Sequence, residues 1–197
     1  MGKFSIPSPI PRVEVENLAH QTAVRIQTGK SSGCGTIVRL QDQTYRVLTN
    51  WDVVAFNRGD RAILTGDALL HPLLGVPRLL GDRDRATVLF RSAIEYKIAL
   101  FTLEPGAVSE PVLAVGFLAG GEVGASAVTR GFVSVPLPKS LPQGYSLGYT
   151  NEVKIGMTGG PIFNAKGFWV GINCRGKYRD PNFGVYAFED GSQEPHS

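Results

Sequence analysis

The chain of 197 residues is poor in the side chains that usually hold a metal, a cofactor or a disulfide scaffold. It has two cysteines, three histidines and two methionines. Cys34 and Cys174 are too few for a disulfide framework, and no cysteine and histidine spacing matches a zinc site. Neither a cofactor nor a metal is therefore expected. Long hydrophobic runs are also missing: the longest charge-free apolar stretch, Pro111 to Gly121, is too short to span a bilayer and contains glycine. The opening Met1–Pro7 lacks the apolar core of a secretory signal, so the expectation is a cytoplasmic chain with no membrane association. No charge sign dominates, with 20 Lys and Arg against 17 Asp and Glu. The densest basic positions, Arg83, Arg85, Arg175, Lys177 and Arg179, are interspersed with Asp82, Asp84 and Asp180. That pattern is not the basic stripe with interleaved aromatics that a nucleic-acid groove needs.

Glycine, by contrast, is abundant. Twenty-four glycines exceed the usual share of roughly 7%. They and the 13 prolines are scattered without period, as many short turns would require. A 43% hydrophobic and 19% charged composition is that of a folded chain. A proline-rich lead (Pro7, Pro9, Pro11) precedes a short helical signal over Val15 to Gln21. Short strand signals follow: Ala23–Ile26, Thr36–Leu40 and Tyr45–Thr49, the last two joined by a polar turn at Gln41–Gln43 and reading as a hairpin. Further signals lie at Ala62–Leu64, Ala86–Phe90, Ile98–Leu103, Ala125–Val135, Tyr145–Tyr149, Pro161–Phe163, Phe168–Cys174 and Val185–Phe188.

About a dozen short strands without a long amphipathic helix imply an all-β fold. The Pro and Gly residues from Glu104 to Pro111 divide it into two barrel lobes of about six strands each, about 22–104 and 111–190. Residues 1–21 form a lead and residues 191–197 a polar tail. The leucine-rich segment Gly66–Asp82 is broken by Pro72 and Pro77. It reads either as a hairpin or broken helical turn packed on the first lobe, or as an exposed apolar patch for a partner.

One string carries chemistry. In Gly156-Met157-Thr158-Gly159-Gly160-Pro161-Ile162 a hydroxyl sits among glycines ahead of a strand. Such a turn presents a nucleophile and lets backbone N–H groups point at a carbonyl oxygen. The string resembles the Gly-x-Ser-Gly-Gly-Pro motif of the trypsin-like, chymotrypsin-fold serine proteases. Gly33–Val38, Val47–Val54 and Tyr96–Leu100 resemble three further segments of that family, in the same order. Gly148–Glu152 and Tyr186–Gly191 resemble a bacterial branch in which this domain is often joined to helical repeats. The resemblance implies two six-stranded antiparallel barrels packed face to face.

It also implies where the catalytic triad would lie. Carried over by position, His becomes Asp52, Asp becomes Lys97 and Ser becomes Thr158, while Gly156 and Thr158 would supply the oxyanion-hole N–H groups. A free aspartate titrates near ~3.9 and is a poor proton acceptor at neutrality. An Asp52–Lys97 salt bridge would keep the lysine an ammonium ion, unable to act as a base. The expected product is a degenerate, catalytically inactive protease that binds protein or an extended peptide, as a module of a larger protein or complex. Two other readings compete: hydrolysis by Thr158 with a neutral Lys97, and a structural domain whose cleft is closed by Arg175 and Gly66–Asp82. Cys34 beside the nucleophile turn is an alternative nucleophile or a buried apolar residue. His71 is a remote candidate base. In the family an extended substrate pairs with the strand matching Ile172–Gly176, so Cys174, Arg175 and Gly176 are candidate binding residues. Glu152 lies where the family floors its specificity pocket, or is a solvent-facing acid beside Lys154.

Overall fold

The computed structural model describes residues 11–29, 31–55, 61–81, 84–102, 107–119, 125–141, 145–174, 185–187 and 193–195. Helix α1 spans Arg12–Thr22. Pro11 starts it without needing an N–H, and its carbonyl accepts from Glu14 at 2.8 Å. The spacing of Val15, Ala19 and Thr22 turns one helical face inward.

The first sheet contains β1 (Ala23–Thr28), β2 (Ser31–Gln41), β3 (Thr44–Thr49), β4 (Arg61–Leu64), β5 (Leu70–Pro72), β6 (Leu74–Leu79) and β7 (Ala86–Arg91). Its order is β5-β4-β1-β2-β3-β7-β6. The β2–β3 hairpin forms where the sequence places it. Asp42 and Gln43 are the two turn residues, both at positive φ, and Gln41 pairs with Thr44. Val24, Ile26, Ile37, Val47, Val88 and Phe90 fill this barrel around Tyr45, whose ring stacks on Phe90 at 5.0 Å. Burying each such side chain contributes about 1.5–3 kcal/mol.

The second sheet contains β8 (Pro111–Phe117), β9 (Ser126–Leu141), β10 (Tyr145–Tyr149), β11 (Pro161–Asn164) and β12 (Trp169–Ile172), in the order β10-β9-β8-β11-β12. The two barrels therefore hold seven and five strands rather than six each. The difference arises because Gly66–Asp82 supplies β5 and β6 to the first barrel, where they end the sheet on opposite sides. Within this segment Leu73 packs into the core, while Leu70, Leu74, Val76 and Leu79 are exposed. A short pair of strands, β13 (Val185–Ala187) and β14 (Gln193–Pro195), forms a separate sheet.

Of the expected strand Ile98–Leu103, the described residues 98–102 belong to neither sheet, and Leu103 lies outside the described residues. Ala99 N–H donates to Ile37 of the first barrel at 2.9 Å. Leu100 C=O accepts from Trp169 of the second at 2.7 Å. The segment thus runs between the barrels, bonded alternately to each. Ala23, Cys34 and Ala99 share a core with Leu113, Val115, Phe117 and Phe163 of the second barrel, and α1 adds Val15 and Ala19 to it.

Candidate active site

Gly156–Gly160 lies at the seam between the barrels, held by its own backbone, by Cys34 and by Asn173. The Cys34 N–H donates to Thr158 C=O at 2.7 Å, and the Gly159 N–H donates to Asn173 C=O at 2.7 Å. Asn173 N–H returns a bond to Gly160 C=O at 2.8 Å, and its Nδ2 donates to Met157 C=O at 3.0 Å. The Tyr149 hydroxyl donates to Asn173 Oδ1. Burial of that hydroxyl pushes it well above the ordinary tyrosine range. Gly156 and Gly159 have φ of +101° and +90°, a region that disfavours any side chain, so the motif's glycines are needed by the turn itself.

The turn leaves two donors unused. Met157, Gly159 and Gly160 N–H groups all bond to carbonyls. Those of Gly156 and Thr158 donate to no acceptor among the described residues. The Thr158 side chain is buried to 7% exposure, and among the described residues its hydroxyl bonds to no base.

Asp52 and Lys97, the other two positions expected from motif order, follow strands of the first barrel. Helix α2 (Trp51–Ala55) follows β3 directly. Asp84 holds its start, accepting from the Asp52 N–H at 3.1 Å and from Asn50 Nδ2 at 2.9 Å. A methyl placed on Gly33 would lie 2.7 Å from both Val53 methyls and 3.1 Å from Thr158 C=O. Helix α2 and the Thr158 turn therefore flank one residue of β2. Lys97 stands two residues before Ala99, whose N–H bonds to the same strand. Asp52 and Lys97 side chains are both exposed. The expected Asp52–Lys97 salt bridge does not form: the ion pairs among the described residues join Glu16 to Arg12 and to Arg130.

Cys34 is a buried thiol rather than a nucleophile. Its Sγ accepts from Phe117 N–H at 3.0 Å and donates to Gly156 C=O at 3.0 Å, and burial pushes it up to about 12. Both cysteines are free thiols, and Cys174 is partly buried with its Sγ donating to Ile172 C=O at 3.2 Å. Glu152 is exposed to solvent. Its neighbour Asn151 turns inward, donating to Thr129 C=O at 2.8 Å. Arg175 and Gly176 lie outside the described residues, as does His196. His71 does not approach the seam. It pairs opposite Ile63 in the first sheet, packs on Phe90 at 4.9 Å and hydrogen-bonds the Tyr96 hydroxyl at 3.0 Å. Sequence reasoning missed Asn173, Tyr149 and Asp84. A buried polar residue closing an apolar strand, Ile172-Asn173, was the available signal for the first.

The family model of the trypsin-like peptidase domain matches residues 33–172, more than half of the chain. The chain belongs to the trypsin-like peptidase family. Its double barrel is similar to the inactive form of the Rv3671c protease, at 22% identity and a TM-score of 0.68, covering 88% of each chain. It is also similar to an inactive serine-to-alanine mutant of Rv3671c from M. tuberculosis H37Rv, at 20% identity and a TM-score of 0.66. That match covers 98% of this chain and 87% of the other. A serine endoprotease from Yersinia pestis matches at 20% identity and a TM-score of 0.68 over 88% of this chain, which spans only 61% of that protein. No curated protein matches the sequence.

Proposed function

We propose that this trypsin-like domain has lost peptide hydrolysis and holds an extended peptide or protein segment in its cleft, as a module of a larger assembly. One observation carries the reading: the Thr158 hydroxyl has no base within hydrogen-bond reach among the described residues. An alcohol attacks an amide only when a positioned base takes its proton. Asp52 is a weak base, and the imidazoles of His20 and His71 are engaged by Ser126 and Tyr96. Binding needs none of this. The unused N–H groups of Gly156 and Thr158 can receive a carbonyl oxygen. Strand β12 ends its sheet and is touched on its outer side at Trp169 by the Leu100–Thr102 segment. The backbone beyond it offers an edge for strand addition. Nothing favours a Thr158–Lys97 pair, because a lysine base must be desolvated and Lys97 stands in solvent.

The test is incubation with a diverse peptide mixture, read by mass spectrometry, beside Thr158→Ala. Neither protein should cut, and a subset of peptides should be retained on the immobilised domain. Restoring Asp52→His, Lys97→Asp and Thr158→Ser together should create cleavage that no single change gives, since triad members act as a unit. Cleavage at defined sites by the unaltered chain, lost in Thr158→Ala, would overturn the reading.

A further inference from the structure

The imidazole and the hydroxyl that are missing as a pair from the cleft occur together elsewhere. His20 Nδ1 is hydrogen-bonded to Ser126 Oγ, 106 residues away in sequence. We propose that Ser126 is a nucleophilic serine with His20 as its base, a covalent modification site for small activated acyl or phosphonyl donors.

The pair is placed by packing. Helix α1 is seated in the second barrel's core by Val15 and Ala19 and is tied to β9 at two points. Arg130 reaches Glu16 Oε1 with Nε at 3.1 Å and Nη2 at 2.6 Å, and Ser126 meets His20. Ser126 and Arg130 are four residues apart on one face of a strand, about 13 Å along it. Glu16 and His20 are one helical turn apart, about 6 Å. The long arginine spans that difference, so the short serine has to meet the imidazole directly. Both members of the pair are only partly buried, and a reagent can approach them. Val128, between Ser126 and Arg130, packs against the same core and fixes the strand face.

The charged groups around His20 leave it able to act. Glu16 favours the imidazolium, but Glu16 is itself bonded by Arg12 and Arg130. Desolvation is the larger influence and holds His20 below its ordinary value, neutral at pH 7. With the ring proton on Nε2, Nδ1 accepts the serine proton as Oγ bonds to the acyl carbon of an ester such as p-nitrophenyl acetate. The C–O bond to the leaving group breaks, p-nitrophenolate departs with the electron pair, and the imidazolium later releases its proton to water. The product is acetyl-Ser126.

This inference does not depend on the state of the cleft. The experiment treats the full chain with p-nitrophenyl acetate, and separately with a fluorophosphonate, and maps adducts by peptide mass spectrometry. The expected result is one adduct at Ser126, absent in Ser126→Ala and unchanged in Thr158→Ala. Labelling should be roughly 100-fold slower in His20→Gln, the lower end of general-base contributions. The wild-type rate should also rise with pH as the imidazolium of His20 loses its proton. No adduct at Ser126, equal labelling in His20→Gln, or a flat wild-type profile between pH 5 and 8 would each overturn the proposal. The wild-type profile decides if His20→Gln fails to fold. An adduct at Thr158 instead would overturn this proposal and bear separately on the cleft.

Discussion

Replacing Gly159 by alanine should dismantle the Thr158 turn. The new Cβ would lie 2.1 Å from Cys34 C=O and 2.4 Å from Thr49 Oγ1, inside any permitted contact. Three costs combine. A side chain at φ +90° is strained by about 1–3 kcal/mol. Overpacking against backbone that cannot yield costs a similar amount, about 1–3 kcal/mol. The displaced Thr49 hydroxyl also loses its 2.6 Å bond to Cys34 C=O, about 0.5–1.5 kcal/mol. At about 2–4 °C per kcal/mol for a domain of this size, Tm should fall by about 5–30 °C. Gly171→Ala is the control in the neighbouring strand. Its Cβ would meet only Leu147 and Ile162 side chains at 3.6 and 3.7 Å, ordinary contact, so its Tm should move by about 3 °C at most. Thermal unfolding by circular dichroism reads both. A Gly159→Ala protein melting within about 3 °C of the wild type would refute the geometry assigned to the turn.

The stability of the α1 docking should depend on acidity. Burial lowers the folded-state value of His20 below the ordinary 6.5, so the unfolded chain binds the extra proton more readily. Stability is then fully present above 6.5 and declines as pH falls from there through the lower folded-state value. Tm measured from pH 7.5 to 5 should show this loss, and His20→Gln should flatten it. Cys34 should resist iodoacetamide in the native state because its thiol is buried and its titration pushed up to about 12. Peptide mapping should find it alkylated only after denaturation, and native alkylation at Cys34 would contradict the seam described above.

Local signals were the legible ones. The β2–β3 hairpin was written in an alternating pattern around a two-residue turn, and the Thr158 turn in its glycines. Strand β8 escaped detection because six of its seven residues are buried, so it shows no alternation. β5 and β6 were obscured by Pro72, Gly75 and Pro77. Their exposed leucines also lack the inward and outward rhythm of a half-buried strand. Ile98–Leu103 looked like a strand because it is extended and apolar, but the backbone of residues 98–102 bonds to one barrel and then to the other, a distinction that no periodicity encodes. At the site, motif order was the basis for expecting Asp52, Lys97 and Thr158, and the glycine-held turn around Thr158 is the part that the backbone geometry describes. What the motifs did not reveal was that the two carboxylate-bearing and ammonium-bearing side chains point to solvent, or that Asp84 and Asn173 hold the elements in place. Those contacts join segments far apart in the chain, which no single motif displays.

Cys34 is bonded through its N–H, its carbonyl and its sulfur to Thr158, Thr49, Gly156 and Phe117, partners drawn from both barrels. It works as the keystone of an arch, in place only once both sides have been raised. The Thr158 turn is therefore complete only when contacts more than a hundred residues apart in sequence are closed. Neither half of the chain produced alone should display that turn. The same dependence means that the Gly-rich motif is held by masonry: the arch would demand those glycines even if no peptide bond were ever cut beneath it.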